Sequence, residues 1–261
     1  LLQHLPRISL QKYLFLNMNP STKQHNTNGK GLPPVRIPRR ETVAAKKKRA
    51  ESIVKTLALA FPAATCSLNF RNPFELIIST ILSAQCTDKR VNMVTPTLFR
   101  RWPTPEKMAK ATQTQIETVI RTTGFFRSKA KNILGCSRAL VERHSGEVPQ
   151  QLSELVALPG VGRKTANVVL GSGFGQAEGV VVDTHVGRIS RRLGLTKHVD
   201  AVQAERDLMK VLPADDWIQF SHFLIELGRS LCSARSPTCQ TCMLLDLCPR
   251  SGVIKKNPLK R

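Results

Sequence analysis

From residue 46 onward, apolar residues recur at helical spacing with no competing strand alternation, and this narrows the fold more than any other feature. Ile53, Leu57 and Leu59 to Phe61 are followed by Phe74, Ile77, Ile78, Ile81 and Leu82, side chains that fall on shared helix faces. Start signals are frequent. Thr104 precedes Pro105 at a first helical position, Thr112 and Gln115 have capping-box spacing, and Asp183 stands before Thr184-His185-Val186. The pattern predicts an all-α chain with helices near 46–60, 71–86, 88–101, 105–110, 113–121, 127–144, 151–157, 162–173, 184–193, 200–212 and 216–231. Gly179 to Val182 reads as a brief strand or as a short buried connector.

The 261 residues, 41% of them apolar, suit one large domain or two small ones, and exclude a disulfide-stapled miniprotein. The densest apolar run, Leu76 to Leu82, is far short of the roughly 18–20 residues that cross a bilayer, so a soluble protein is expected. Forty Lys and Arg against eighteen Asp and Glu leave a net charge of +22, which implies a polyanionic partner. Residues 1–50 hold eleven cations and one anion, a net +10, and the rest of the chain is still basic.

Residues 1–45 mix Asn, Gln, Thr, Pro and cations without periodicity and read as a disordered basic tail. A transit peptide shares that composition, but Pro6, Pro20, Pro33, Pro34 and Pro38 interrupt the amphipathic helix it needs. The first Met is Met18, so residues 1–17 read as a gene-call extension, or the chain as truncated.

Leu158-Pro159-Gly160-Val161-Gly162-Arg163-Lys164-Thr165 lies between two helical patterns. Two glycines two apart allow a tight turn with outward N–H groups, and the helix opening at Arg163 adds a positive dipole end, which suits a phosphate. A nucleotide P-loop fails here: Arg163 stands where a Gly must precede the Lys, and a helix rather than a strand comes before. The remaining readings are a helix–hairpin–helix that grips a nucleic-acid backbone through Leu158, Gly160, Val161, Gly162 and Arg163, or a Gly-terminated helix turn with no ligand.

Lys164 falls in the first turn of its helix, where the dipole opposes its cationic form and favours a nucleophilic amine. Asp183, nineteen residues on, is its natural acid–base partner if the two helices pack; the alternative roles are a phosphate contact and a helix cap. Cys66, Cys86 and Cys136 are scattered in helical patterns and are expected to be buried thiols. Cys232, Cys239, Cys242 and Cys248 crowd together as C-x6-C-x2-C-x5-C, a donor set for Zn²⁺ or for a [4Fe–4S] cluster that spacing alone does not separate.

The hairpin together with its continuation Ala166-Asn167-Val168-Val169-Leu170, Val182-Asp183-Thr184-His185 and the four cysteines resembles the endonuclease III family. The likeness extends through Pro73-Phe74-Glu75-Leu76 and Leu82-Ser83-Ala84-Gln85-Cys86-Thr87-Asp88 and covers about residues 46–250. It implies a two-lobed helix-hairpin-helix DNA glycosylase fold, with a first cluster-domain helix at 46–64, a six-helix barrel at 65–177, a cluster domain at 178–250 and a basic end at 251–261. It implies a bifunctional DNA glycosylase and AP lyase of base excision repair. Lys164 would be the nucleophile, Asp183 its acid–base partner, and the four cysteines the ligands of [4Fe–4S]. Gln85 and Phe125 would fill the hole left by a flipped base, and Arg235, between Cys232 and Cys239, would meet a phosphate. The partner would be duplex DNA carrying damaged pyrimidines or abasic sites, bound by a monomer with no membrane role. The location would be cytoplasmic and nucleoid-associated in a bacterium, less readily nuclear or mitochondrial.

Two departures from the family pattern stand out. Its wedge loop more often carries Leu then Tyr where this chain has Phe125 and Phe126, and one extra residue falls within Gly171 to Gly179, which a glycine-containing loop is expected to absorb. Two rivals remain. An adenine or mismatch glycosylase of the same superfamily would need a Glu in Ile78-Ser79-Thr80-Ile81-Leu82, where no acid is present, and would lack Lys164. A non-catalytic helix–hairpin–helix DNA-binding protein would need neither Lys164 nor Asp183.

The tail's cations are too dispersed to form a reading helix but still neutralise phosphates, each adding roughly 0.9 to the slope of log affinity against log salt on duplex DNA. Removing residues 1–45 is therefore expected to weaken binding to damaged and plain duplex alike and to flatten its salt dependence. An unchanged salt slope would show that the tail does not touch DNA.

Overall fold

The computed structural model describes residues 41–253, and every regular element among them is helical. In chain order the α-helices are α1 Val43–Ala60, α2 Pro73–Leu82, α3 Asp88–Arg101, α4 Pro105–Ala109, α5 Gln113–Ile120, α6 Phe126–His144, α7 Leu152–Val156, α8 Arg163–Val168, α9 Thr184–Arg192, α10 Ala201–Val211 and α11 Trp217–Ser230. Thr42, Asn72, Thr87, Thr104, Thr112, Asp183 and Asp200 each cap the following helix with a side-chain oxygen. Such caps are worth ~1 kcal/mol apiece because they satisfy backbone N–H groups that a short helix leaves open. At α5 the capping box is complete: Thr112 accepts from the Gln115 N–H at 3.3 Å and Gln115 accepts from the Thr112 N–H at 2.9 Å.

The chain divides into two compact units. One runs from Cys66 to Glu178; the other combines the segments before and after it. In the 66–178 unit, α2 is the central element: no residue from Phe74 to Leu82 is more than 6% exposed. A helix apolar around its whole circumference belongs in an interior, and α3, α6 and α8 pack against it. Val91, Leu98, Ile116, Ile120, Ile133 and Leu140 complete this core. In the other unit α1 packs on α10 and α11, and α9 on α11, around Ile53, Leu57, Ile189, Leu208, Phe220 and Leu224.

Several elements differ from the expectations above. The first helix starts at Val43, so residues 41–45 belong to the fold and not to a disordered tail. Glu41 explains why: both its oxygens take hydrogen bonds from Arg49, at 2.8 and 2.9 Å, and Arg49 Nη1 also donates to the carbonyls of Leu193 (2.6 Å) and Leu247 (3.3 Å). This contact holds the Glu41 carboxyl below the usual range. Residues 1–40, the rest of the expected tail, and 254–261, most of the basic end, lie outside the described residues. A tail deletion that spares this contact must stop at residue 40.

Helix α2 ends at Leu82 rather than 86, because Gln85 takes a left-handed backbone with φ +51°. After α8 the chain continues as a π turn, Val169–Phe174. Gly179 to Val182 forms no strand; Val180 and Val182 are buried and the segment is a connector. Cys136 is buried, its thiol pushed up to about 12, while Cys66 and Cys86 are only half-buried, against expectation.

Burial of His222 in α11 pushes its imidazole down to about 4. A group whose folded pKa lies below its unfolded one contributes stability that is present above the unfolded value and lost as pH falls toward the folded value. The protein should therefore lose up to ~3 kcal/mol between about pH 6.5 and 4 from this residue. His222→Gln should flatten that limb in denaturant melts across the range. Parallel losses in both proteins would show that another group sets the acid limit.

Candidate active site and cysteine centre

The hairpin is built by short-range hydrogen bonds: the Leu158 N–H donates to Leu155 O and the Val161 N–H to Leu158 O, both at 3.1 Å. Leu158 and Val161 are buried and anchor the turn, while Gly160, Gly162, Arg163 and Lys164 are exposed. Gly160 has φ +77°, and a Cβ there would come within 2.7 Å of Asn132 Cβ on α6, so only glycine fits. Gly162 differs. Its φ is −90°, and a Cβ would meet nothing within 4 Å. Nothing in the fold asks for glycine at 162; its effect is to leave the start of α8 bare, with no side-chain cap. Lys164 follows in the first turn.

Asp183 sits where the buried Val180–Val182 connector runs into α9. Its Oδ1 accepts the Val186 N–H at 2.7 Å and its Oδ2 lies 3.2 Å from His185 Nδ1. The carboxylate is thus fixed as a cap and is still 22% exposed. Gly228 on α11 makes room for this arrangement, because a Cβ there would lie 2.6 Å from His185 Cδ2. Lys164 belongs to the 66–178 unit and Asp183 to the other.

Cys232, Cys239, Cys242 and Cys248 line one cavity with Ile189, Leu193, Leu227 and Leu244. Burial raises the thiols of Cys239 and Cys242 and pushes that of Cys248 to about 11. Among the described residues no three His, Cys, Asp or Glu side chains converge to hold a single metal ion. Arg192, 8% exposed, donates to Cys232 Sγ at 3.1 Å and to the carbonyls of Cys232, Ser233 and Ala234 at 3.3, 2.7 and 2.8 Å. Arg188 Nη2 donates to the Cys232 carbonyl at 3.0 Å. Arg235, in the same loop, is exposed.

Gln85 and Phe125 are both exposed, Phe125 by 66%, and both have left-handed backbones uncommon for residues with a Cβ. Phe126 instead turns partly inward, with the Arg127 guanidinium over its ring at 5.6 Å. Sequence reading did not single out His185, Arg188 or Arg192. His185 is two residues from an expected cap, a weak signal, and nothing local marks the two arginines, whose partners lie about forty residues away.

Residues 78–214 match the model of the HhH-GPD superfamily base excision DNA repair protein family. The endonuclease III of Synechocystis sp. is 55% identical over 207 residues, 79% of this chain and 94% of that protein. That of Escherichia coli K12 is 44% identical over 203 residues, 78% and 95% respectively. A solved structure of a trapped endonuclease III–DNA covalent intermediate, 44% identical, superposes with a TM-score of 0.73 over 77% of this chain and 95% of that one. By the family model that matches more than half of it and by relatives 44–55% identical over most of both chains, this chain belongs to the endonuclease III family of HhH-GPD base excision repair proteins and is a DNA glycosylase and AP lyase.

Proposed function

We propose that the enzyme removes oxidised pyrimidines from duplex DNA and cuts the strand 3′ to the resulting abasic site by β-elimination, through a Schiff base on Lys164. The observation that carries this reading is an exposed lysine one residue into a helix that Gly162 leaves uncapped and open. The existence of a trapped covalent DNA intermediate for a 44% identical relative supports an enzyme-bound step.

The hairpin N–H groups and Arg163 hold the phosphates of the lesion strand, a contact that positions without reading sequence. Extruding the base costs a few kcal/mol, less for a damaged one that stacks poorly, so selection begins there. Gln85 and Phe125 occupy the space the base leaves. The Lys164 Nζ attacks C1′ of the extruded nucleotide, the C1′–N bond breaks with its electron pair leaving on the base, and Asp183 takes the proton the amine loses. The proton taken up by Asp183 then passes to O4′ as the C1′–O4′ bond breaks, which opens the sugar ring and leaves an iminium between C1′ and Nζ; this acidifies the C2′ proton, whose removal expels the 3′ phosphate and cuts the strand. Asp183 suits this work because its cap to Val186 and its contact with His185 fix the carboxylate while leaving it partly open.

The four cysteines fit a [4Fe–4S] cluster: the donors are all thiols and they surround one apolar-walled cavity. When bound, such a cluster supplies cross-linking of the C-terminal segment, which is folding free energy, and keeps Arg235 in position for a phosphate. The enzyme acts as a monomer and, if its host is a bacterium as those of its relatives are, on nucleoid DNA in the cytoplasm.

Lys164→Gln should abolish base release and nicking while lesion-duplex binding falls little, since the hairpin N–H groups remain; normal nicking by the pure variant would sink the mechanism. Asp183→Asn should cut turnover by orders of magnitude with little change in melting temperature, because Asn still caps a helix. A collapsed melting temperature would make the acid structural. The native protein should be yellow-brown with four irons per chain, and Cys239→Ser or Cys242→Ser should impair loading and solubility. Stoichiometric zinc in anaerobically purified protein would refute the cluster assignment.

A further inference from the structure

Lys129 on α6 is 4% exposed, and the mechanism above does not use it. Its Nζ donates to the carbonyl of Thr123 at 2.7 Å, and its own backbone N–H donates to the carbonyl of Phe125 at 3.1 Å. These two bonds bracket Gly124 and Phe125, which have φ of +68° and +46° in succession. Thr123 is itself buried at 2% exposure and bonds through Oγ1 to the Ile120 carbonyl at 2.8 Å. Phe125 stands 66% exposed at the top of the turn and offers α6 no side-chain cap. Burial pulls the pKa of the Lys129 ammonium down, and the Cys86 thiol, next to Gln85, acts on it in the opposite sense.

An apolar side chain would fill this interior position at less cost than an ammonium, which must be desolvated and bonded. What the ammonium adds is a fixed partner for one loop carbonyl, in a turn where an exposed phenylalanine holds a left-handed backbone that residues with a Cβ disfavour. We propose that Lys129 is a positioning residue: its ammonium pins the Thr123 carbonyl, and the pinned turn keeps Phe125 directed outward to enter the DNA stack when a nucleotide is extruded. The claim rests on the reading of Phe125 as the wedge.

The test is a double-mutant cycle on the holoenzyme. Phe125→Ala, Lys129→Met and the pair are compared in single-turnover cleavage of an abasic-site duplex and of the same strand unpaired, where there is no stack to fill. Each single change should slow duplex cleavage by about five- to tenfold, the scale of coupling between residues in contact, with a smaller loss on the unpaired strand. The double variant should be no slower than Phe125→Ala alone. Additive losses, equal losses on both substrates, or a Lys129→Met enzyme as fast as wild type would overturn the positioning role. If Phe125→Ala has no effect on the duplex, the wedge reading fails first and the role falls with it. Amide exchange at residues 122–127 in Lys129→Gln gives a readout independent of catalysis and serves if Lys129→Met does not fold. Faster exchange confined to that turn supports the hold on Thr123, and unchanged exchange overturns it.

Discussion

Short helices live or die by their first turns. A helix of five to fourteen residues has up to four backbone N–H groups with no internal partner, a large share of its total, and burial is not free until they are satisfied. Seven of the eleven helices described here meet that demand with a Thr, Asn or Asp side chain. Of the four without a side-chain cap, α7 follows Gln151, and α11 grows directly out of a 3-10 turn, Ala214–Asp216. The other two begin after Phe125 and Gly162, the positions proposed to meet DNA. Two of the four helix starts without a side-chain cap are thus those where an outside partner is proposed.

Each unit also contains a buried cation held by main-chain carbonyls. Lys129 takes Thr123 O in one, and Arg192 takes the carbonyls of Cys232, Ser233 and Ala234 in the other. Loop carbonyls have no regular partner of their own, and a long cationic side chain reaching out of a packed helix supplies several donors from a fixed base. The loops so held carry Phe125 in the first case and Cys232 with Arg235 in the second. In both, a rigid helix sets the conformation of an irregular segment, which is what a site that must present side chains at fixed positions requires.

The cysteine centre and Asp183 share a support, because Asp183 caps α9 and Arg192 ends it. Val186 and Ile189 bury one face of that helix, while Arg188 and Arg192 reach the Cys232 loop. One nine-residue helix therefore ties the position of the carboxylate to the loop that starts the C-x6-C-x2-C-x5-C segment.

Periodicity alone determined that this chain is all-α, and caps such as Thr104, Thr112 and Asp183 marked where helices begin, because both signals depend on residues three or four apart. The family followed from residues contiguous in the chain, the hairpin and the cysteine run. Tertiary structure decided what depends on distant partners. Helix α1 reaches back to Val43 because Arg49 ties Glu41 to the carbonyls of Leu193 and Leu247. Helix α2 stops at Leu82 and the chain turns left-handed at Gln85, and after α8 it runs on as a π turn, Val169–Phe174, packed against α2. Lys129 reads as one more helix cation among forty until the fold buries it beneath the Phe125 turn, since burial and the direction of a carbonyl are properties of the packed chain and not of any local stretch of it.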